Sequence, residues 1–209
     1  MKNYGNSFVG GREAINAGKV PVWLSVDEQF PAGCTFPASS AGATYPIGTA
    51  VYVPKMGAEA IVLETFEVVG AVDSTDTSVV LKSVGGFVQP AKGLVVGKAS
   101  SGVIAKAIAL PAVTSVGSGD HAGEYTFTIT ANALGELSDG DILVFAVEAG
   151  ANKAQAFPTG LLLEDVVVGA NGATGTIVTK GQILASRAAS LSEWVEAALA
   201  NRITFVKEA

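Results

Sequence analysis

Residues 124–130 read EYTFTIT, an unbroken alternation that puts Tyr125, Phe127 and Ile129 on one face of an extended chain and Thr126, Thr128 and Thr130 on the other. A strand of this kind needs a core beneath its aromatic face and pairing partners at its edges. The turn-rich GSGDHAG, 117–123, precedes it, so PAVTSV, 111–116, is expected to fold back on it as a hairpin. Further short apolar runs bounded by turn residues extend the pattern in both directions: VPVWLSV at 20–26, TAVYV at 49–53, EAIVLETFEVVGAV at 59–72 and SVVLKSV at 78–84. GLVVGKA, VIAKAIAL, DILVFAVE, GLLLEDVVVG, GTIVT and QILA follow in turn, with Lys180-Gly181 expected to turn the last two against each other. FPAGCTFPASSAGATYPIG, 30–48, is crowded with Pro, Gly and Ser and reads as a loop.

One segment departs from the pattern. In SLSEWVEAALANRITFV, 190–206, Ser190 and Glu193 have the spacing of a capping box. Leu191, Trp194, Val195, Ala198 and Leu199 then recur at helical spacing, Asn201 is a stop residue, and ITFV resumes a strand with Ile203 and Phe205 on one side. The helix is expected to lay its Trp194 face on the sheet, giving a helix-on-sheet core of Leu191, Trp194, Val195, Leu199 and Phe205. The expected fold is therefore mainly β: short-stranded sandwich-like or barrel-like units, an extended N-terminal arm, and one short C-terminal helix followed by a last strand.

Composition agrees with a folded chain. Of 209 residues, 49% are hydrophobic and 15% charged, against about 25% charged in an average soluble domain. The net charge of −6 is divided unevenly: residues 1–24 hold Lys2, Arg12 and Lys19 against Glu13, net +2, which leaves −8 for the remainder. An acidic body repels phosphate backbones, so nucleic acid is not an expected partner. No apolar run reaches the ~18 residues of a membrane span, because Glu164 and Asp165 interrupt the best candidate. The opening MKNYGNSFVG lacks the apolar run of a signal peptide, and one Cys forms no internal disulfide, so synthesis in the cytoplasm is expected.

Groups suited to catalysis are sparse. His121 lies in a turn that looks solvent-exposed, and Cys34 sits in a Pro/Gly loop with no helix N-terminus to activate it, so a thiol–imidazole pair has little support. With one Cys and one His, a structural zinc site lacks ligands. The carboxylates of VDSTD, 72–76, and LSDGD, 137–141, could hold calcium but fit no twelve-residue loop ending in Glu, and read better as turns. Glu164 and Asp165, adjacent on an expected strand, would point to opposite faces and could not share a glycosidic bond. No phosphate-binding loop, nucleophile elbow or dinucleotide fingerprint occurs. Neither an enzyme, a metal nor a cofactor is expected. Trp23 and Trp194 read as core residues, although two Trp and four Tyr would suffice for a sugar-stacking platform.

The opening GGREAINAGKVPVWLS and the closing GLLLEDVVVGANGATGTIVTKGQILASRA and ALANRITFVKEA resemble head fibre or head decoration proteins of tailed phages and prophages of gut bacteria. The likeness covers about the first 25 residues and the last 70. Its most specific part is the order EDVVVG, IVTKGQIL, short helix, ITFVK, which in that family looks like a strand pair, a helix and a closing strand. The resemblance implies a non-enzymatic structural subunit on the outer capsid surface of the virion. Such a subunit binds the major capsid protein, often as a homotrimer. The expected division is an extended arm, 1–19, where Gly5, Gly10, Gly11 and Gly18 lie among polar residues with neither period; a decoration-like β-rich domain, 20–54 with 136–209; and 55–135, an inserted β-rich segment or second domain with no counterpart in the smallest decoration proteins. The arm would order against a neighbouring capsid or sister subunit, Arg12 and Lys19 meeting acidic groups and Tyr4, Phe8 and Ile15 filling apolar pockets. An alternative is a module that binds host or mucosal glycans through the middle segment and exposed aromatic residues. A cysteine-dependent enzyme is the third reading.

Overall fold

The computed structural model describes residues 22–31, 33–100, 103–150, 153–188 and 191–207, and the chain is mainly β with one short helix near its C-terminal end. Two sheets divide it. The first is six-stranded: Trp23–Gln29, Ile177–Leu184, Gly160–Leu162, Ala50–Tyr52 and Ile61–Val62 lie in that order, and Ile203–Val206 pairs beside Ile177–Leu184. The second is seven-stranded, ordered Val113–Val116, Glu124–Thr128, Ser78–Ser83, Thr65–Val68, Ile142–Phe145, Val95–Ser100 and Val103–Ala109.

The hairpin that decides the fold is present: Val113 pairs with Phe127 and Val116 with Tyr125, antiparallel. Phe127 is fully buried among Phe66, Leu81 and Leu143, the centre of the second sheet's core, while Thr128 on the opposite face is exposed. Alternation thus did what burial of one face requires. The first sheet has a core of its own around Leu161, Val178, Ile183 and Ile203, onto which the helix packs.

Several expectations are corrected. EAIVLETFEVVGAV is two strands in different sheets, because the chain crosses from the first sheet to the second at Leu63-Glu64. The inserted segment does not coincide with 55–135: the strands of the second sheet run from Thr65 to Phe145. DILVFAVE belongs to it, since Leu143 pairs with both Phe66 and Lys98 as part of a central strand. The 30–48 segment contains two short strands, Cys34–Phe36 and Thr44–Tyr45, laddered to Ala173–Gly175 and Val166–Val167.

GTIVT and QILA do not turn against each other. They form one strand, Ile177–Leu184, with Gly181 in its interior, paired to Val26 on one side and to Ile203 on the other. A Cβ at Gly181 would lie 2.5 Å from the Ser25 carbonyl oxygen, so this glycine permits close approach of a neighbouring backbone rather than reversal. GLLLEDVVVG is likewise broken: Glu164 and Asp165 sit at a bend between Gly160–Leu162 and Val166–Val167. Asp165 Oδ1 accepts from the Ile47 N–H at 2.7 Å and Glu164 Oε1 from the Thr176 hydroxyl at 3.2 Å. Two carboxylates that seemed stranded in a β run serve to turn it.

The helix spans Glu193–Leu199 and its cap is Ser192, whose Oγ accepts from the Val195 N–H at 3.4 Å. Ser190 lies outside the described residues, and Glu193 occupies the first helical position rather than the third, so the expected capping box is replaced by a simple serine cap. The helix connects Ile177–Leu184 to Ile203–Val206, which run parallel to each other and so need a crossover rather than a hairpin.

Candidate functional site

Tyr4, Phe8, Arg12, Ile15 and Lys19 lie outside the described residues. The described chain begins beside them at Val22, whose carbonyl accepts from the Leu184 N–H at 2.8 Å. Trp23 follows, buried, with its Nε1–H donating to the Leu162 carbonyl at 3.1 Å. Strand Trp23–Gln29 pairs with Ile177–Leu184 on one side and forms an edge of its sheet among the described residues.

The helix face divides in two. Val195 and Leu199 are fully buried on the first sheet, and Leu191, Trp194 and Phe205 are partly buried against the same core. Trp194 also touches a cluster formed by Ile104, Ala107, Val144 and Ala146 of the second sheet, and stands 5.7 Å from Phe157, ring to ring. It bridges the two sheets where a residue wholly on the sheet-facing stripe was expected.

A groove of about 510 Å³ opens where the chain passes between sheets, lined by Tyr52, Ile61, Leu63, Leu94, Phe145 and Val147. Ile61 is 49% exposed and Val147 60% exposed at this groove. Large apolar side chains left on a concave surface mark a place where another surface can be covered. No sequence signal pointed to it, because its lining comes from segments up to a hundred residues apart whose strands each read as ordinary.

Glu64 holds the crossing together. It is 1% exposed, and its carboxylate accepts four backbone N–H groups: Oε1 from Thr65 at 3.0 Å and Gly85 at 2.8 Å, Oε2 from Phe87 at 2.8 Å and Val88 at 3.3 Å. Burying a carboxylate is tolerable only when its lone pairs are satisfied in this way. Phe87, fixed by that bond, packs edge-on against Tyr45 of the first half with ring centroids 5.7 Å apart. The sequence carries no local signal for this role of Glu64, because three of the amides it collects lie twenty-one to twenty-four residues further on, beyond the strands Thr65–Val68 and Ser78–Ser83.

The catalytic candidates do not converge. Cys34 is buried, its Sγ donating to the Gly175 carbonyl at 3.4 Å, and the thiol is pushed up from 9.0 to about 11, chiefly by burial, with the nearby Glu164 charge adding to it. Such a thiol stays protonated at neutral pH, the opposite of what a nucleophile needs. His121 lies at an exposed turn beside the second sheet, 3.0 Å from Glu124, whereas Cys34 belongs to a ladder of the first half. Carboxylates of the acidic turns accept backbone N–H groups, Asp76 from Asp73, Asp139 from Gly70 and Asp141 from Ser138, and Asp141 also pairs with Lys98 at 2.6 Å. Among the described residues no group of three or more His, Cys, Asp or Glu side chains is arranged to hold a metal, and no helix is long and apolar enough to cross a membrane. No protein-family model, curated protein or solved structure matches this chain.

Proposed function

We propose that the protein is a structural subunit of a tailed-phage virion, bound to the outer capsid surface as a head-fibre or head-decoration protein. The observation that supports this most is the apolar groove at the junction of the sheets, with Ile61 and Val147 exposed. A structural subunit needs an apolar surface that its own fold leaves uncovered, so that burial against the major capsid protein or a sister subunit drives assembly. The charge division adds to it: residues 1–24 carry net +2 and the remainder −8, so the arm of one subunit is attracted to the body of the next. A homotrimer is the assembly that the resemblance in the closing segment implies; the strand pair expected there is not formed, since Val166–Val167 ladders with Thr44–Tyr45 and Ala173–Gly175 intervenes before Ile177–Leu184, while the helix Glu193–Leu199 and the strand Ile203–Val206 follow in the expected order.

The test mixes purified protein with undecorated capsids and measures co-sedimentation. Full-length protein is expected to pellet with capsids, and Val147→Asp or a chain beginning at Val20 to pellet far less. Binding by both altered proteins at wild-type level would remove the groove and the arm from the account.

A further inference from the structure

The two tryptophans are used differently. Trp23 is buried with its N–H bonded, whereas Trp194 is partly buried and no described residue accepts from its Nε1–H. That N–H is not sealed in the interior, since Thr65 Oγ1 is the buried side-chain polar atom without a partner among the described residues. Trp194 and Phe157, the latter 47% exposed, line a cleft of about 470 Å³ between the helix and the second sheet, with rings tilted 31° to each other. Ala197 and Ala198 keep the helix wall low, and Asp141 and Glu193 supply carboxylates at the cleft.

From this arrangement we infer that the cleft is a binding site for a neutral saccharide. A pyranose presents weakly positive C–H groups on its faces and hydroxyls around its rim. Aromatic ring faces are electron-rich and attract the former. Hydroxyls both donate and accept: the carboxylates of Asp141 and Glu193 at the cleft are acceptors, and the Trp194 N–H, from which no described residue accepts, is a donor on a lining residue. Asp141 is held in position through Oδ2 alone, which accepts from the Ser138 N–H at 2.6 Å and pairs with Lys98 at 2.6 Å. Among the described residues Oδ1 has no hydrogen-bond partner, and the side chain lines the cleft. The volume lies within the usual range of about 300–1,000 Å³ for small-molecule sites.

A cationic side chain is the competing occupant, since rings and carboxylates also attract guanidinium. Lys98 decides against it, because the ion pair already compensates the Asp141 charge and its ammonium would repel a second cation. The inference does not rest on the capsid reading: a protein that never meets a capsid could carry this site, and a decorating subunit could lack it.

The experiment follows the two indole N–H signals of the ¹⁵N-labelled full-length protein by NMR. The probes are methyl pyranosides of glucose, galactose, mannose and N-acetylglucosamine, their β-linked disaccharides, and arginine amide as the cationic control. At least one saccharide is expected to shift the Trp194 signal saturably, with a dissociation constant of about 1 mM or tighter, and to leave the Trp23 signal in place. Phe157→Ala is expected to weaken that binding about tenfold, and Glu193→Gln to weaken it less. Both are exposed positions, so retained chemical-shift dispersion reports that the variants fold. Failure of every saccharide to move the Trp194 signal, equal movement of both indoles, or a response to arginine amide in place of sugars would overturn the inference.

Discussion

Replacing Glu64 by Gln changes one atom of a side chain that is 1% exposed, yet it strikes the crossing between the two sheets. The carboxylate accepts two N–H groups on each oxygen: Thr65 and Gly85 on one, Phe87 and Val88 on the other. An amide retains one acceptor oxygen. Whichever way it turns, its NH₂ faces two backbone donors that then have no acceptor. Hydrogen bonds to a charged group are worth roughly 1.5–3 kcal/mol each, and an orphaned buried donor costs about 1–3 kcal/mol. Relief from burying a charge offsets part of this, so a net loss of about 2–4 kcal/mol is expected. Against a typical total of about 5–15 kcal/mol the change is large. Urea unfolding followed by tryptophan fluorescence should show a midpoint lowered by about 1–2 M at an m-value near 2 kcal/mol/M. Amide exchange at Gly85, Phe87 and Val88 should accelerate most. Glu64→Met, which removes the acceptors on both sides, should cost more than Gln. A midpoint within about 0.3 M of wild type for either variant would refute the reasoning.

Further outcomes follow from the same structure. Gly181→Val forces a Cβ to within 2.5 Å of the Ser25 carbonyl in mid-sheet, and should destabilise by about 3 kcal/mol or more, visible as a lowered thermal midpoint. Cys34, whose thiol is pushed up to about 11 by burial, should react with a thiol reagent at pH 8 only on unfolding. Between pH 9 and 11 the unfolded chain loses the proton that the folded chain keeps, so stability falls as pH rises through that window, by about 2–3 kcal/mol. Unfolding curves of Cys34→Ala should lack that component.

Much of the architecture was legible because burial of one face leaves a period in the sequence. EYTFTIT, its hairpin partner, the helix and the final ITFV strand each lie where their spacing places them. What was not legible involves contacts made across the chain. Lys180-Gly181 carries a turn signal locally, and only the approach of Ser25 explains why the strand runs straight through it. EAIVLETFEVVGAV has one continuous pattern, yet Glu64 in its middle collects amides from 85–88 and so marks the passage between sheets. The groove and the Trp194 cleft are assembled from residues distant in sequence, and no local period encodes such a surface. Trp194 fitted the helical stripe, but the stripe does not reveal that its flank meets Phe157 and the second sheet.

The proposed role is that of a structural subunit docked on a capsid. Its most direct test is co-sedimentation of the purified full-length protein with undecorated capsids, with the protein's mass in solution measured alongside. The account predicts a stable trimer that saturates the capsid at a fixed ratio. A monomer that stays in the supernatant at every capsid concentration would contradict it.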